Sequence, residues 1–191
     1  MKGYLNMKLL IASDIHGSAR CCKALTERIA EEKPDRVILL GDLLYHGPRN
    51  DLPGEYDTKA VAEMLNSIKP APLCVRGNCD SEVDQMMLHF PIQSTYSSLQ
   101  LEEKNTAVFF THGHLIDSLL PLLKFYENKT VLLFGHTHIP ECTEEDGIVM
   151  MNPGSTSIPK LNSDNSYMTY ENGVFSWKLL FSGMMYREYA L

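Results

Sequence analysis

Short apolar runs alternate with amphipathic stretches along the first half of the chain. "KLLIASD", residues 8–14, is an apolar run that ends at an acid, and "RVILLGD", residues 36–42, repeats the form. Runs of this length, bounded by turn residues, predict buried strands. Between them, "SARCCKALTERIAEEK" sets Cys22, Leu25 and Ile29 at helical spacing, with Ser18 as N-cap and a stop before Pro34. A polar loop rich in Gly and Pro, "YHGPRNDLPGEYD", leads to a second helical stretch, "TKAVAEMLNSI", and "APLCVRGN" supplies a third strand. This β-α-β-α-β rhythm predicts parallel strands with helices packed on their faces.

The second half has a different pattern. "STYSSLQLEE", "TAVFFTHG", "TVLLFGHTH" and "GIVMMNPGS" read as strands, with one helix near "SLLPLLKFYE". Asn172-Gly173 lies between alternating apolar residues and predicts a two-residue β-hairpin over 166–182. No repeat, low-complexity tract or linker interrupts the chain. The expectation is one α/β domain over residues 1–191 containing two sheets, with Met1 to Asn6 as a short N-terminal extension.

Composition narrows the function. The 191 residues are 44% hydrophobic and 21% charged with a net charge of −7, which suits a globular domain with a substantial core. No run of Lys or Arg exceeds a pair, so an extended nucleic-acid face is not expected, although a local cationic site is compatible with this charge. No apolar run approaches the ~20 residues of a membrane span, and "LLIA" is too brief for a signal-peptide core. Five cysteines, two of them adjacent and none in a CxxC, do not form a disulfide framework and point to a reducing cytoplasm.

The informative residues are the acids and imidazoles at the C-terminal ends of the apolar strands. They are Asp14 and His16, Asp42, Asn78, His112, and then His136 and His138. In open α/β sheets those ends line the functional crevice. In "DIH", side chains two apart on an extended segment point the same way, so Asp14 and His16 suit one ion. "HTH" repeats the spacing, either to share a metal or to splay onto two. Carboxylate, imidazole and amide oxygen, without thiolate, suit Mn²⁺, Fe²⁺ or Zn²⁺ with open positions rather than a closed structural zinc. The set is too large for one ion that also binds substrate. Two ions ~3.5–4 Å apart, bridged by a carboxylate, would use all of it.

"DIHG", "GD", "GNCD", "THGH" and "GHTH", in this order at strand ends, resemble the calcineurin-like metallophosphoesterase superfamily. "HGPRN", "RGNCDSEVDQM", "FGHTHIP" and "NPGSTSIPK" resemble its YfcE-type phosphodiesterase branch, over about residues 7 to 160. The resemblance implies a two-sheet sandwich flanked by helices in α-β-β-α layers. It implies Asp14, His16 and His138 on one metal, Asn78, His112 and His136 on a second, and Asp42 bridging both. Mn²⁺ is the first expectation, with Fe²⁺, Zn²⁺, Ni²⁺ or Co²⁺ as alternatives. The implied reaction is hydrolysis of a small phosphodiester by a metal-bridging hydroxide.

One position departs from the pattern. Many members carry a His after the motif Asn, on the leaving-group side, where this chain has Cys79. A thiol is a weak donor, so the usual general acid is in doubt. His114 is the local substitute, with an orienting role for a metal ligand as its alternative. Asp80 either holds such a His or, as the reading preferred here, caps the following helix. Arg49 offers a bidentate clamp for a phosphate oxygen, against a surface or oligomer contact; Arg76 reads equally as a salt-bridge residue. His89 reads as structural, Met86, Met87, Met150 and Met151 as core filling, and "NPGS" as a turn supporting the metal histidines.

Three rival functions stay open. They are a phosphomonoesterase, a nuclease of the same superfamily, and a protein-binding scaffold such as the retromer coat subunit that resembles this branch. The complete donor set favours an enzyme, and a homo-oligomer is compatible with the sequence.

Overall fold

The computed structural model describes residues 7–126 and 129–191; Met1 to Asn6 lie outside the described residues. Strand β1 (Leu9–Ala12), helix α1 (Ala19–Glu32), β2 (Arg36–Leu39), α2 (Thr58–Ser67) and β3 (Leu73–Cys74) realise the expected β-α-β-α-β rhythm, with β1–β2 and β2–β3 parallel. Ser18 caps α1 by accepting from the Cys21 N–H, and the helix closes at Lys33 in a left-handed conformation. Asp57 caps α2 by accepting from the Lys59 and Ala60 N–H groups.

A short helix, α3 (Glu82–Met87), precedes the second sheet. That sheet holds β4 (Tyr96–Leu101), β5 (Thr106–Thr111), β6 (Thr130–Leu133), β7 (Pro140–Glu145) and β8 (Ile148–Pro153) in the order β4-β5-β6-β8-β7. Helix α4 (Ile116–Leu123) covers part of its outer face. The chain then returns to the first sheet as β9 (Ser166–Glu171), β10 (Val174–Leu179) and β11 (Met185–Ala190), giving the order β11-β10-β9-β1-β2-β3. Asn172 and Gly173 both take positive φ, 53° and 83°, as a type I′ hairpin turn requires.

Alternation along the strands builds the layers. Leu9, Ile11 and Ile38 face Val108, Phe110, Val131 and Leu133 of the second sheet, and Trp177 closes this inner core. Leu10, Ala12 and Leu39 face the other way, against Cys22, Leu25, Val61 and Leu65 of the helices. The result is the expected two-sheet sandwich flanked by helices. Because β1, β2 and β3 are mutually parallel, as are β5 and β6, the carboxyl ends within each set open at one rim.

Several local expectations are corrected. β7 and β11 did not show in the apolar pattern, because "PECTEE" and "MYREYA" are half-exposed or exposed edge strands. Met86 and Met87 are exposed rather than core, since α3 is too short to bury any residue. His89 is exposed, and its backbone N–H donates to Asn66 Oδ1. Ser81, not Asp80, caps α3, in a capping box with Asp84.

The inner core should dominate stability. Phe110→Ala, at a fully buried position between the sheets, is expected to cost about 3–5 kcal/mol. Leu122→Ala, half-exposed on α4, should cost under about 0.5 kcal/mol. Urea unfolding of both variants checks the ranking, and a reversed order would contradict this placement of the core.

Candidate metal centre

Five of the seven predicted donors leave the strands in left-handed turns rather than along extended backbone. Asp14, His16, Asp42, His136 and His138 all have positive φ, between 50° and 66°. Asp and His enter this left-handed region more readily than most side chains, yet it still costs free energy. The extended geometry expected for "DIH" is therefore replaced by a tight turn, which still brings both side chains to one point. Asp14 Oδ1 lies 3.6 Å from His16 Nε2 and 3.2 Å from His138 Nε2. Asp42 Oδ2 lies 3.6 Å from His16 Nε2 and 3.4 Å from His112 Nε2.

Backbone carbonyls fix the imidazoles. His16 Nδ1 meets the Tyr45 carbonyl at 2.8 Å, His112 Nδ1 that of Leu40 at 2.7 Å, and His138 Nδ1 that of Ile158 at 2.6 Å. A carbonyl only accepts, so each Nδ1 carries the proton and each Nε2 faces the centre. Such a lock presents a ring to a metal. The "HTH" pair splays: His138 joins Asp14 and His16, while the His136 ring lies 5.1 Å from that of His112. Asn78 Oδ1 is 3.1 Å from His112 Nε2.

One atom tests the fit to a cation. Asp14 Oδ1 is buried without a hydrogen bond, while Oδ2 of the same carboxylate accepts from Ser13 Oγ and the His136 N–H. A desolvated carboxylate oxygen facing imidazole nitrogens suits a divalent ion. The triads Asp14–His16–His138 and Asp14–Asp42–His112 each bring their donor atoms within 4.8 Å of one another. A third, His16–Asp42–Cys79, places the thiol as close, which was not expected of an oxygen–nitrogen site.

The charge state follows from these contacts. Burial alone would raise the Asp14 pKa, but His138 and His16, with the His112 charge, hold it well below the usual carboxylate range. Burial alone would lower that of His112, but Asp42 and Asp14 raise it to about 9. Burial and then the Asp42 charge push the Cys79 thiol up to about 12.

Supporting residues complete the frame. Asp80 is buried and accepts from the N–H groups of Asp42, Leu43 and Gly77 at 2.7–2.9 Å, tying the end of β2 to the turn after β3. It neither holds His114 nor caps α3. Only the acid of "GNCD" hinted at this role. A Cβ at Gly77 would overlap the Asp42 carboxylate, so glycine is required there. The "NPGS" turn acts as anticipated: Asn152 donates to the Gly135 carbonyl and to Thr137, and Ser155 and Ser157 donate to the Asp14 carbonyl.

A cavity of about 360 Å³ opens over the cluster, lined by Asp42, Asn78, His136 and His138 with Cys79 and Arg49. Lys160 also lines it, a cation that sequence reasoning passed over although "SIPK" displays it. His114 does not line this cavity; its ring packs 5.4 Å from that of His112. Arg76 pairs with Glu82 at 3.4 Å and donates from Nε to the Asp80 carbonyl. His46 is wedged edge-on between Tyr45 and Tyr56.

A sandwich with paired acids and histidines at its rim defines a class of metal-dependent phosphoesterases. The profile of the calcineurin-like phosphoesterase superfamily domain matches residues 7–172, and the chain belongs to that family. It is 46% identical over 171 residues to phosphodiesterase YfcE of Escherichia coli K12, covering 89% of this chain and 90% of that protein. A probable metallophosphoesterase of Bacillus subtilis, YsnB, is 30% identical over 87% of this chain and 86% of its own length. The structure of the E. coli YfcE phosphoesterase superposes with a TM-score of 0.86 at 41% identity, over 96% of this chain and 99% of that one. Vps29 of Cryptosporidium parvum shares the fold, with a TM-score of 0.68 at 19% identity over 98% of this chain and 100% of its own.

The raised His112 pKa predicts how pH and metal trade places. Its charge stabilises the metal-free fold fully below the ordinary 6.5, and the gain is lost as pH rises through about 9. In chelator, Tm is expected to fall between these values, by about 2–4 °C per kcal/mol lost. A divalent ion replaces the proton, so its stabilisation should grow over the same window. Thermal scans with and without Mn²⁺ measure this, and a metal-free Tm that stayed flat or rose would contradict it.

Proposed function

We propose that the chain is a metal-dependent phosphodiesterase acting on a small phosphodiester at a binuclear centre. The observation that carries this reading is the buried, unpartnered Oδ1 of Asp14 between two imidazoles whose Nε2 atoms face inward. In this reading Asp14, His16 and His138 hold one divalent ion, Asn78, His112 and His136 the other, and Asp42 lies between them. Mn²⁺ is the first candidate. The 46% identity to a phosphodiesterase supports a diester rather than a monoester.

Two such ions, when bound, would lower the pKa of a coordinated water from ~15.7 toward ~7 and stabilise phosphoryl charge. The chain supplies the rest. Carbonyl-locked histidines keep the donors in place without reorganisation. Exposed Arg49 and Lys160 at the cavity offer donors to a phosphoryl oxygen. Asp14 and Asp42 serve as donors to the ions, so no protein nucleophile is needed. Cys79, on the leaving-group side, is a weak proton donor, so esters with good leaving groups are favoured. His114, packed on His112, orients that ring. Five free cysteines fit a reducing cytoplasm. The shared fold with Vps29 makes a protein-binding scaffold the second reading, and the complete donor set weighs against it.

Chelation is expected to abolish hydrolysis of bis(4-nitrophenyl) phosphate, and added Mn²⁺ to restore it; full activity in a verified metal-free sample would sink the mechanism. Asp42→Asn should weaken both metals together in a calorimetric titration, and loss of one site alone would contradict bridging. Cys79→His is expected to raise turnover on poor leaving groups more than on good ones. Equal effects across a leaving-group series would mean that position 79 does not face the departing oxygen.

A further inference from the structure

The metal-side cavity does not stand alone. A second cleft of about 360 Å³ shares the Cys79 side chain as a wall and is bounded by the loop after β2 and by α3. Tyr45 and Tyr56 line it from the loop, Val83 and Met87 from the helix. Val83 and Met87 stand four positions apart, on one helix face, and expose 65% and 45% of their surface. That face adds nothing to the core, because α3 buries none of its residues. The opposite wall is built of packed rings. The His46 ring meets Tyr45 and Tyr56 edge-on at 4.8 and 5.3 Å, and the Tyr56 ring lies where a Cβ on Gly17 would stand.

The charges lining the two cavities differ. The cleft carries one cation and one anion, Lys59 and Asp84, which offset each other. The cavity beside it has the carboxylate and imidazoles of the metal centre with Arg49 and Lys160. A phosphodiester divides in the same way: its charge sits on the phosphoryl group and its alcohol arms are neutral. We propose that the cleft seats the leaving alcohol of the substrate, and that this alcohol is aromatic or similarly flat and apolar. The inference rests on the phosphodiesterase reading above, with Cys79 facing the departing oxygen. Sulfur at the junction suits this occupant, since a polarizable Cys or Met sulfur packs well at an aromatic edge.

Methyl phenyl phosphate and methyl 2-naphthyl phosphate compare two leaving phenols of similar acidity and different apolar area. With Mn²⁺-loaded protein the naphthyl ester is expected to show a kcat/KM about five- to tenfold higher. The double variant Val83→Asp, Met87→Asp should bring that ratio near one and weaken competitive inhibition by 2-naphthol by a similar factor. Both positions are exposed, so the variant is expected to fold, and its Tm is measured alongside. Hydrolysis of bis(4-nitrophenyl) phosphate tests the underlying activity separately. If that activity is present but the naphthyl preference is absent, or survives in the double variant, the subsite is overturned and the phosphodiesterase reading stands. A double variant that changes oligomeric mass and leaves the ratio intact would make the cleft a contact between copies, which also overturns the subsite. If no diester is hydrolysed, both readings fall.

Discussion

Two buried carboxylates, Asp14 and Asp42, lie with oxygens within 4.8 Å of each other, and the rest of the structure is arranged around that repulsion. At an effective dielectric constant of 20, two unit charges at this separation repel by roughly 3–4 kcal/mol, before any cost of removing them from water. A fold tolerates such a pair only with compensating positive charge nearby. In the protein alone that charge comes from protons on His112 and His16, whose pKa values the two acids raise against the cost of burial. A divalent cation does the same work better, because it also satisfies Asp14 Oδ1, which no hydrogen bond reaches. The centre is thus electrostatically incomplete in a way that selects a cation.

Holding the pair together demands backbone that the strands alone would not provide. Five of the seven donors sit in the left-handed region, at a cost of order 1 kcal/mol each. That cost is met by over-determination. Asp80 collects three N–H groups from two turns, Ser155 and Ser157 grip the Asp14 carbonyl, and Asn152 fixes Gly135. Asn152 is tied in turn to the core, since its carbonyl accepts from Trp177 Nε1 at 2.7 Å. A short chain of bonds thus links the sandwich interior to the turn that carries His136 and His138.

This arrangement explains what was legible from the sequence. Apolar runs ending in acids and imidazoles revealed β1, β2, β5 and β6 and gathered the donors, because parallel buried strands are nearly uniformly apolar and their ends converge. "DIH" showed its two donors but not their left-handed turn, because the mild tolerance of Asp and His for that region is too weak to announce one. Edge strands β7 and β11 were hidden, since half-exposed backbone carries no apolar period. Asp80 was misread as a cap for a related reason: an acid two residues before a helix resembles one, and Ser81 behind it was the better candidate. Composition reads Met86 and Met87 as core, but α3 is too short to bury them. The left-handed turn and the three N–H groups that Asp80 gathers are set by tertiary partners, whereas the α3 cap and the exposure of Met86 and Met87 are local.

Cys79 is where these threads meet. Its N–H donates to Asp42 Oδ1 at 2.8 Å, so the backbone of this residue belongs to the frame that holds the two acids apart from water. Its thiol faces the same carboxylate, so that burial and then the Asp42 charge and hydrogen bond raise its pKa, while Asn78 Nδ2 approaches at 3.3 Å and the Cβ of any residue at position 47 would crowd it. The backbone role does not depend on side-chain identity, whereas the side chain reaches the centre itself, its Sγ lying within 4.8 Å of donor atoms of His16 and Asp42. That side chain lines both the charged cavity and the apolar cleft, on their shared boundary. A histidine ring in the same place would supply a stronger proton donor and put more bulk on that boundary. If the cleft seats the leaving alcohol as proposed, acid assistance and room at the junction compete for this one position.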